Sequence, residues 1–361
     1  MAEQEKSIDT IVKQAEEIQP PGARIREELT RRGMQQKEFA IRMNVTEKHV
    51  SKLINGEVLL TANVAMRLAT VLGIPAAEWS AMEAAYRESL LAYQAHREME
   101  EDIALAQCFP YGEMAKLGWV PKAKNVKEKV LGLRSFFEVV ELPLLERFEL
   151  TGFAGRKLSL HNEEDLILMA WMQAARKKAR EISGGAIAVR EITGILPKLR
   201  AWTYEKPQAF LPQLQKLLAS KGILLVFLPR IKGLDLHCAT FAFGNRVVIA
   251  MTATKMKDGE FWYRLLHEIG HVFLGHVGLE EGTTPQDETD ATIWARNTLL
   301  PRKEFDAYKD AGKFTEKTIT EFSKEQGVAA GILVGRLQHD GLISGGSHNR
   351  FKREYNLTNC G

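Results

Sequence analysis

Three cysteines in 361 residues, Cys108, Cys238 and Cys360, are far apart, odd in number and outside any Cys-x-x-Cys pair. Neither a disulfide framework nor a cysteine-built zinc site is indicated. No apolar run approaches the roughly 20 residues that a membrane-spanning helix needs, and the opening Met-Ala-Glu-Gln-Glu-Lys-Ser is polar. The expectation is a cytoplasmic protein with no membrane partner. Charge of one sign is not in excess over the whole chain, since 49 Lys and Arg face 46 Asp and Glu for a net of +3. Internal repeats and low-complexity segments are absent as well. What remains is ordinary soluble composition, 45% hydrophobic and 26% charged, in a chain long enough for more than one buried core.

The most informative stretch runs from Trp262 to His271, where His267-Glu268-x-x-His271 sits in a helix-forming run. Four residues along an α-helix is a little over one turn and about 6 Å of rise, so both imidazoles project from one face and can grip one metal ion. Glu268, beside the first histidine, can reach a water on that metal. Zinc lowers the pKa of such a water to about 7, and a carboxylate can take its proton during attack on a peptide carbonyl and return it to the leaving amine. The ordinary alternative is a chance match in a charged helix. Against it, Phe261, Trp262, Leu265 and Leu266 give the helix an apolar side to bury, and Gly270 admits a close neighbour.

A catalytic zinc site needs a third protein ligand. His276 lies nine residues from His267, half a turn round a continuous helix, and reads as a helix-end histidine. Downstream, Glu288 to Pro301 reads as a second helix stopped by proline, with Ala291, Trp294, Ala295, Thr298 and Leu299 at helical spacing. An acid near its start can close the site.

These two motifs together resemble the ImmA/IrrE family of zinc metallopeptidases, in which HExxH is followed by a helix of the form E-x-E-A-x-x-F-A-x-x-L-L-x-P. The resemblance covers roughly residues 220 to 345. It implies a gluzincin-like α+β fold, Zn2+ as cofactor, Glu268 as catalytic base and His267, His271 and Asp290 as ligands. Asp290 stands where the family has Glu, and Glu288 is the fallback ligand.

Just upstream, Gly222 to Leu228 reads as a buried strand, and Ala239–Phe243 with Arg246–Met251 as a hairpin turned at Gly244-Asn245 in type II′ geometry. A strand edge beside the metal helix suits pairing with an extended peptide. His237 and Cys238 are read as packing residues.

Between Pro20 and Pro75, nine Lys and Arg face five Asp and Glu, so the basic excess of the chain sits here. Gln36, Ala40, Asn44, Val50 and Leu53 occupy the positions of a helix-turn-helix. Asn44 tolerates the left-handed conformation the turn requires. Thr46 can cap the second helix, which should stop near Asn55-Gly56. Val50, Leu53 and Ile54 form its buried side, leaving Lys48, Ser51 and Lys52 outward, while Gln36 begins the first helix. The segment resembles Cro/CI-type domains, most closely the HigA/VapI antidote branch. That resemblance implies DNA-binding residues Gln36, Thr46, Lys48, Ser51 and Lys52, and a homodimer on a two-fold double-stranded DNA operator.

Elsewhere the signals are weaker. Trp79, Met82, Tyr86, Leu90 and Tyr93 step along one long amphipathic helix over 76–107, packed on the DNA-binding bundle or on a second copy. Asn125 to Val140 and Glu163 to Arg180 read as helices, the latter with an exposed basic end at Arg176–Arg180. Phe322 to Gln338 reads as one further helix with an exposed face that includes Arg336 and His339.

The resulting expectation is a multidomain protein. An N-terminal extension over 1–19 precedes an all-α, lambda-repressor-like helix-turn-helix domain over 20–107. A helical connector over 108–210 and an α+β metallopeptidase domain over 211–361 follow. Function follows as a DNA-binding transcriptional regulator with a zinc metalloendopeptidase, cleaving a repressor, a toxin-associated protein or itself. The alternative is an antitoxin-like autorepressor whose second domain is a non-catalytic interaction scaffold.

Overall fold

The computed structural model describes residues 20–147, 158–277 and 283–358, and within the long helix it leaves the side chains of 92–98 undescribed. The expected extension over 1–19, Cys360 and the side chain of Tyr93 thus lie outside the described residues. The chain divides into two compact units between Asp102 and Ile103.

The first unit is helical: α1 (Pro21–Arg31), α2 (Gln36–Met43), α3 (Glu47–Ile54), α4 (Ala62–Leu72) and the start of α5 (Ala76–Cys108). Its core is made by Ile25, Phe39, Val50, Leu53, Leu68 and Trp79, all fully or almost fully buried. Trp79 and Met82 of α5 join that core, so the long helix packs on the bundle as one of the two expected arrangements. Asn44 ends α2 at φ 52°, ψ 52°, in the left-handed region. The Thr46 hydroxyl accepts from His49 N at 3.2 Å and starts α3.

In the second unit, α6 (Tyr111–Lys116), α7 (Val126–Phe137) and α8 (Glu163–Arg180) precede α9 (Ile192–Trp202) and α10 (Pro207–Ser220). A three-stranded sheet follows, from β1 (Ile223–Leu228), β2 (Cys238–Phe243) and β3 (Arg246–Thr252), in the order β1-β3-β2. β2 and β3 are the expected hairpin, with Gly244 at φ 61° and Asn245 outside the positive region, as a type II′ turn requires. β1 pairs with β3 in parallel, which puts helices on its faces and explains why every residue of Ile223–Leu228 is buried. Helices α8 and α10 both lie against β1.

The boundary expected at 210/211 falls inside α10, and Ile192, Leu199, Phe210 and Leu214 share a core with the sheet. The basic end of α8 also differs from expectation. Arg176 stacks on the Phe241 ring at 5.4 Å and Lys178 Nζ donates to Phe227 O at 2.9 Å. Of these basic residues only Arg180 is exposed, and it pairs with Glu138.

The helix carrying the histidine pair, α11 (Asp258–Leu274), packs against β2, against α12 (Pro285–Leu299) and against α15 (Ala330–His339). Its first turn is held from far along the chain. β4 (Lys255–Lys257) pairs with β5 (Glu354–Asn356), and Asp258 N donates to Arg353 O at 2.9 Å. The fully buried Asp258 carboxylate meets Arg353 Nε at 3.3 Å. Beyond α13 (Arg302–Ala311), the helix expected over 322–338 is two helices, α14 (Glu316–Glu325) and α15, broken where Gly327 adopts φ 67°.

Gly22 sits in the first turn of α1, where alanine is locally the better helix former. A Cβ there, however, would lie 2.0 Å from Ile54 O. Packing therefore outweighs propensity, and Gly22→Ala is expected to cost the first unit about 2 kcal/mol through overpacking. Urea unfolding of the variant checks this; an unchanged or raised midpoint refutes it.

Candidate metal centre and nucleic-acid interface

The period of α11 puts His267 and His271 on the face turned toward α12, and the two helices approach closely because residue 270 is glycine. A Cβ on Gly270 would lie 3.2 Å from both Ala291 O and the Trp294 ring. From α12, Glu288 reaches the pair. The His267 and His271 Nε2 atoms are 3.1 Å apart, and the Glu288 carboxylate stands 3.2 Å from the first and 3.5 Å from the second. Tetrahedral bonds of about 2.0–2.1 Å make ligand–ligand edges of about 3.3 Å, so these three atoms are spaced to hold one ion. His267, His271 and Glu288 form the one such group among the described residues.

The outer ring nitrogens are held too. His267 Nδ1 lies 3.3 Å from Thr292 Oγ1, which in turn is 3.2 Å from the Tyr263 hydroxyl. His271 Nδ1 lies 3.3 Å from His276 Nδ1, and His276 Nε2 is 3.4 Å from Asp287 Oδ1. Such partners fix ring orientation and leave Nε2 for a metal. Burial, opposed by the Glu288 charge, holds the His271 pKa below the ordinary imidazole value and favours the neutral, ligating form. Glu268 faces β2, where the Thr240 hydroxyl donates to it at 2.5 Å. Burial pushes its pKa up to about 7, with Glu288 adding to the rise and the Thr240 bond opposing it.

Asp290 is not brought to the histidines. Two residues along a helix is a rotation of about 200°, so with Glu288 facing α11, Asp290 points away. It accepts from Gln286 Nε2 at 2.8 Å and lines a separate hollow with Leu274, Ile293 and Trp294. The cause is the side of the helix, rather than the shorter reach of Asp. A signal for Glu288 was present in the sequence: the buried stripe Ala291, Ala295 and Leu299 extends back by helical steps to 288. His276 and Asp287 were missed as partners. The left-handed cap at Gly275 turns His276 back onto the helix. Asp287 is placed by the capping box it makes with Thr284.

In the first unit, Gln36, Thr46, Lys48, Ser51 and Lys52 are all exposed, while Val50, Leu53 and Ile54 face inward. Lys48, Ser51 and Lys52 share the outer face of α3, and Gln36 opens α2. This is the arrangement in which a second helix reads a major groove.

A helix-turn-helix family model matches residues 25–79. No curated protein and no solved structure matches the chain. The match supports a DNA-binding transcriptional regulator, and the exposed residues of α2 and α3 lie inside it. Among the described residues no helix is long and apolar enough to cross a membrane.

In a chelator competition with zinc, Glu288→Ala is expected to lose more affinity than the roughly 10–100-fold typical of removing an outer partner. His276→Ala should fall within that range. Asp290→Ala should leave affinity unchanged, and a larger loss there than at Glu288 reverses the ligand assignment.

Proposed function

We propose that this chain is a DNA-binding transcriptional regulator whose second unit is a zinc metalloendopeptidase. The observation that carries the hydrolytic half is the meeting of His267, His271 and Glu288, with Glu268 one residue from the first ligand and held on β2. Zn2+ in that group would supply a water acidified to a pKa of about 7 and a Lewis acid for a peptide carbonyl. Glu268 is the proton carrier: it takes the proton of the attacking water and passes it to the leaving amine. A carboxyl with a pKa near 7 is suited to both halves of that exchange. The Thr240 hydroxyl keeps it from turning away. β2 is an edge strand of the sheet. An extended substrate segment paired there lies beside α11, as strand addition would place it. The substrate is a protein segment, from a partner repressor, a toxin-associated protein or another copy of this chain.

The first unit binds double-stranded DNA as a homodimer, through Lys48, Ser51 and Lys52 on α3, with Thr46 and Gln36 at the ends of the two helices. Half-site centres about one helical turn apart, or a multiple, follow from two-fold pairing. The α3 face and the metal residues belong to separate compact units.

Metal analysis of the purified protein is expected to find about one zinc per chain, lost in His267→Ala. Glu268→Gln should retain the metal and lose all cleavage of a proteome-derived peptide library read by mass spectrometry. Equal cleavage by Glu268→Gln and the parent, or none by either, overturns the peptidase in favour of an interaction scaffold.

Footprinting on the upstream region of its own gene should show a protected palindrome. Ser51→Ala with Lys52→Ala should weaken that protection by about tenfold or more, while His267→Ala leaves it intact. Protection unaffected by the double substitution removes α3 as the reading helix.

A further inference from the structure

A cavity of about 390 Å3 lies against the first two turns of α11. It falls within the size range of small-molecule sites. Its wall is made by Lys257, Glu260, Tyr263 and Arg264 on one side, by Arg296, Leu299 and Leu300 of α12, and by Ile332, Gly335, Arg336 and His339 of α15, with Lys352 closing it. None of the three metal-centre residues lines it.

Five of the lining side chains are Lys or Arg and one is an acid. Glu260 is taken by Arg264 at 2.7 Å, Arg336 is paired with Asp340 at 2.6 Å, and Lys257 has Glu354 at 3.6 Å. Among the described residues, no carboxylate makes an ion pair with Arg296 or Lys352. Arg296 reaches only the His339 ring at 3.4 Å, and Lys352 donates to the amide oxygen of Gln338. Both side chains are partly buried. Arg264 also has a buried nitrogen, Nη1, without a hydrogen-bond partner. The nearest counter-charge to Arg296 is the Asp340 carboxylate, which Arg336 already binds, and partly desolvated cations that outnumber their counter-charges are costly to keep.

Gly335 adds an independent observation. A glycine inside a helix weakens it relative to alanine, and here neither a positive φ nor a close neighbour requires one. A Cβ at 335 would meet nothing nearer than Lys352 Cε at 4.0 Å. What the missing side chain leaves is open space in the cavity.

We propose that this cavity binds a small organic anion. Its carboxylate or phosphate sits among Arg296, Arg336 and Lys352, where guanidinium forks suit either group. Its apolar body lies on Leu299, Leu300 and Ile332. The site borders the metal helix, but the proposal stands whether or not that helix holds zinc.

Calorimetric titration of the full chain with 1-naphthyl phosphate and with 1-naphthoate, in the presence of a chelator so that no metal receives the anion, tests it. One saturable site per chain is expected for at least one of the two, and comparing them separates a phosphate from a carboxylate ligand. Neutral 1-naphthol and inorganic phosphate should each bind at least about tenfold more weakly, since each lacks half of the match. Arg296→Gln with Lys352→Gln should weaken the binding by about tenfold or more, and Gly335→Leu, whose Cβ has room and whose side chain enters that space, should abolish it. Circular dichroism establishes that both variants are folded. Absence of a saturable site for both anions, or undiminished binding in folded Gly335→Leu, overturns the proposal.

Discussion

The candidate metal centre depends on the closeness of two helices. His267 and His271 occupy one helix and Glu288 another, and a carboxylate can meet two imidazoles only if the helix axes come near. The side chain missing at Gly270 permits that approach, since the space a Cβ would need is taken by Ala291 O and the Trp294 ring. Small Ala291 and Ala295 on the facing helix serve the same end, and both are fully buried. The histidines thus turn toward α12, and the outer contacts to Thr292 and His276 follow from the same orientation. Glu268, one residue and so about 100° further round α11, faces β2, where Thr240 donates to it. One interhelical contact therefore sets both the group that can hold an ion and the position of Glu268 beside it.

Local features of this chain were readable because their causes are local. A left-handed residue at Asn44, a capping hydroxyl at Thr46, a glycine-first turn at Gly244 and an i, i+4 histidine pair each depend on a few neighbouring residues, and all occur as expected. The parallel pairing of β1 with β3 joins strands that the chain does not connect by a hairpin, and the unbroken apolar run of β1 marks a buried strand without naming its partner. Arg176 and Lys178 look like a solvated helix end until Phe241 and Phe227, some 50 to 65 residues away, supply a surface for them. The break between α14 and α15 was obscured by apolar residues that continue on both sides of Gly327.

Glu288 and Asp290 show a finer limit. Both are acids at the start of one helix, and motif alignment placed weight on the one followed by Ala291. Which acid faces the histidines is a matter of helix rotation, and rotation is set by which stripe is buried. The stripe of Ala291, Ala295 and Leu299 was visible in the sequence and points to Glu288. Here periodicity was the better guide than motif register.

The clasp between the start of α11 and the end of the chain has a consequence for synthesis. Asp258 is held by Arg353, and β4 has no strand partner until residues 354–356 exist. Among the described residues, the apolar core of the helix-turn-helix, by contrast, draws on nothing beyond Met82. As a ribosome makes this chain, the first unit can fold while α11 still lacks its anchor, since N-terminal domains generally fold first. The order of synthesis then separates the helix-turn-helix unit from the candidate metal centre in time. A nascent or prematurely ended chain has a complete helix-turn-helix before it has an anchored α11.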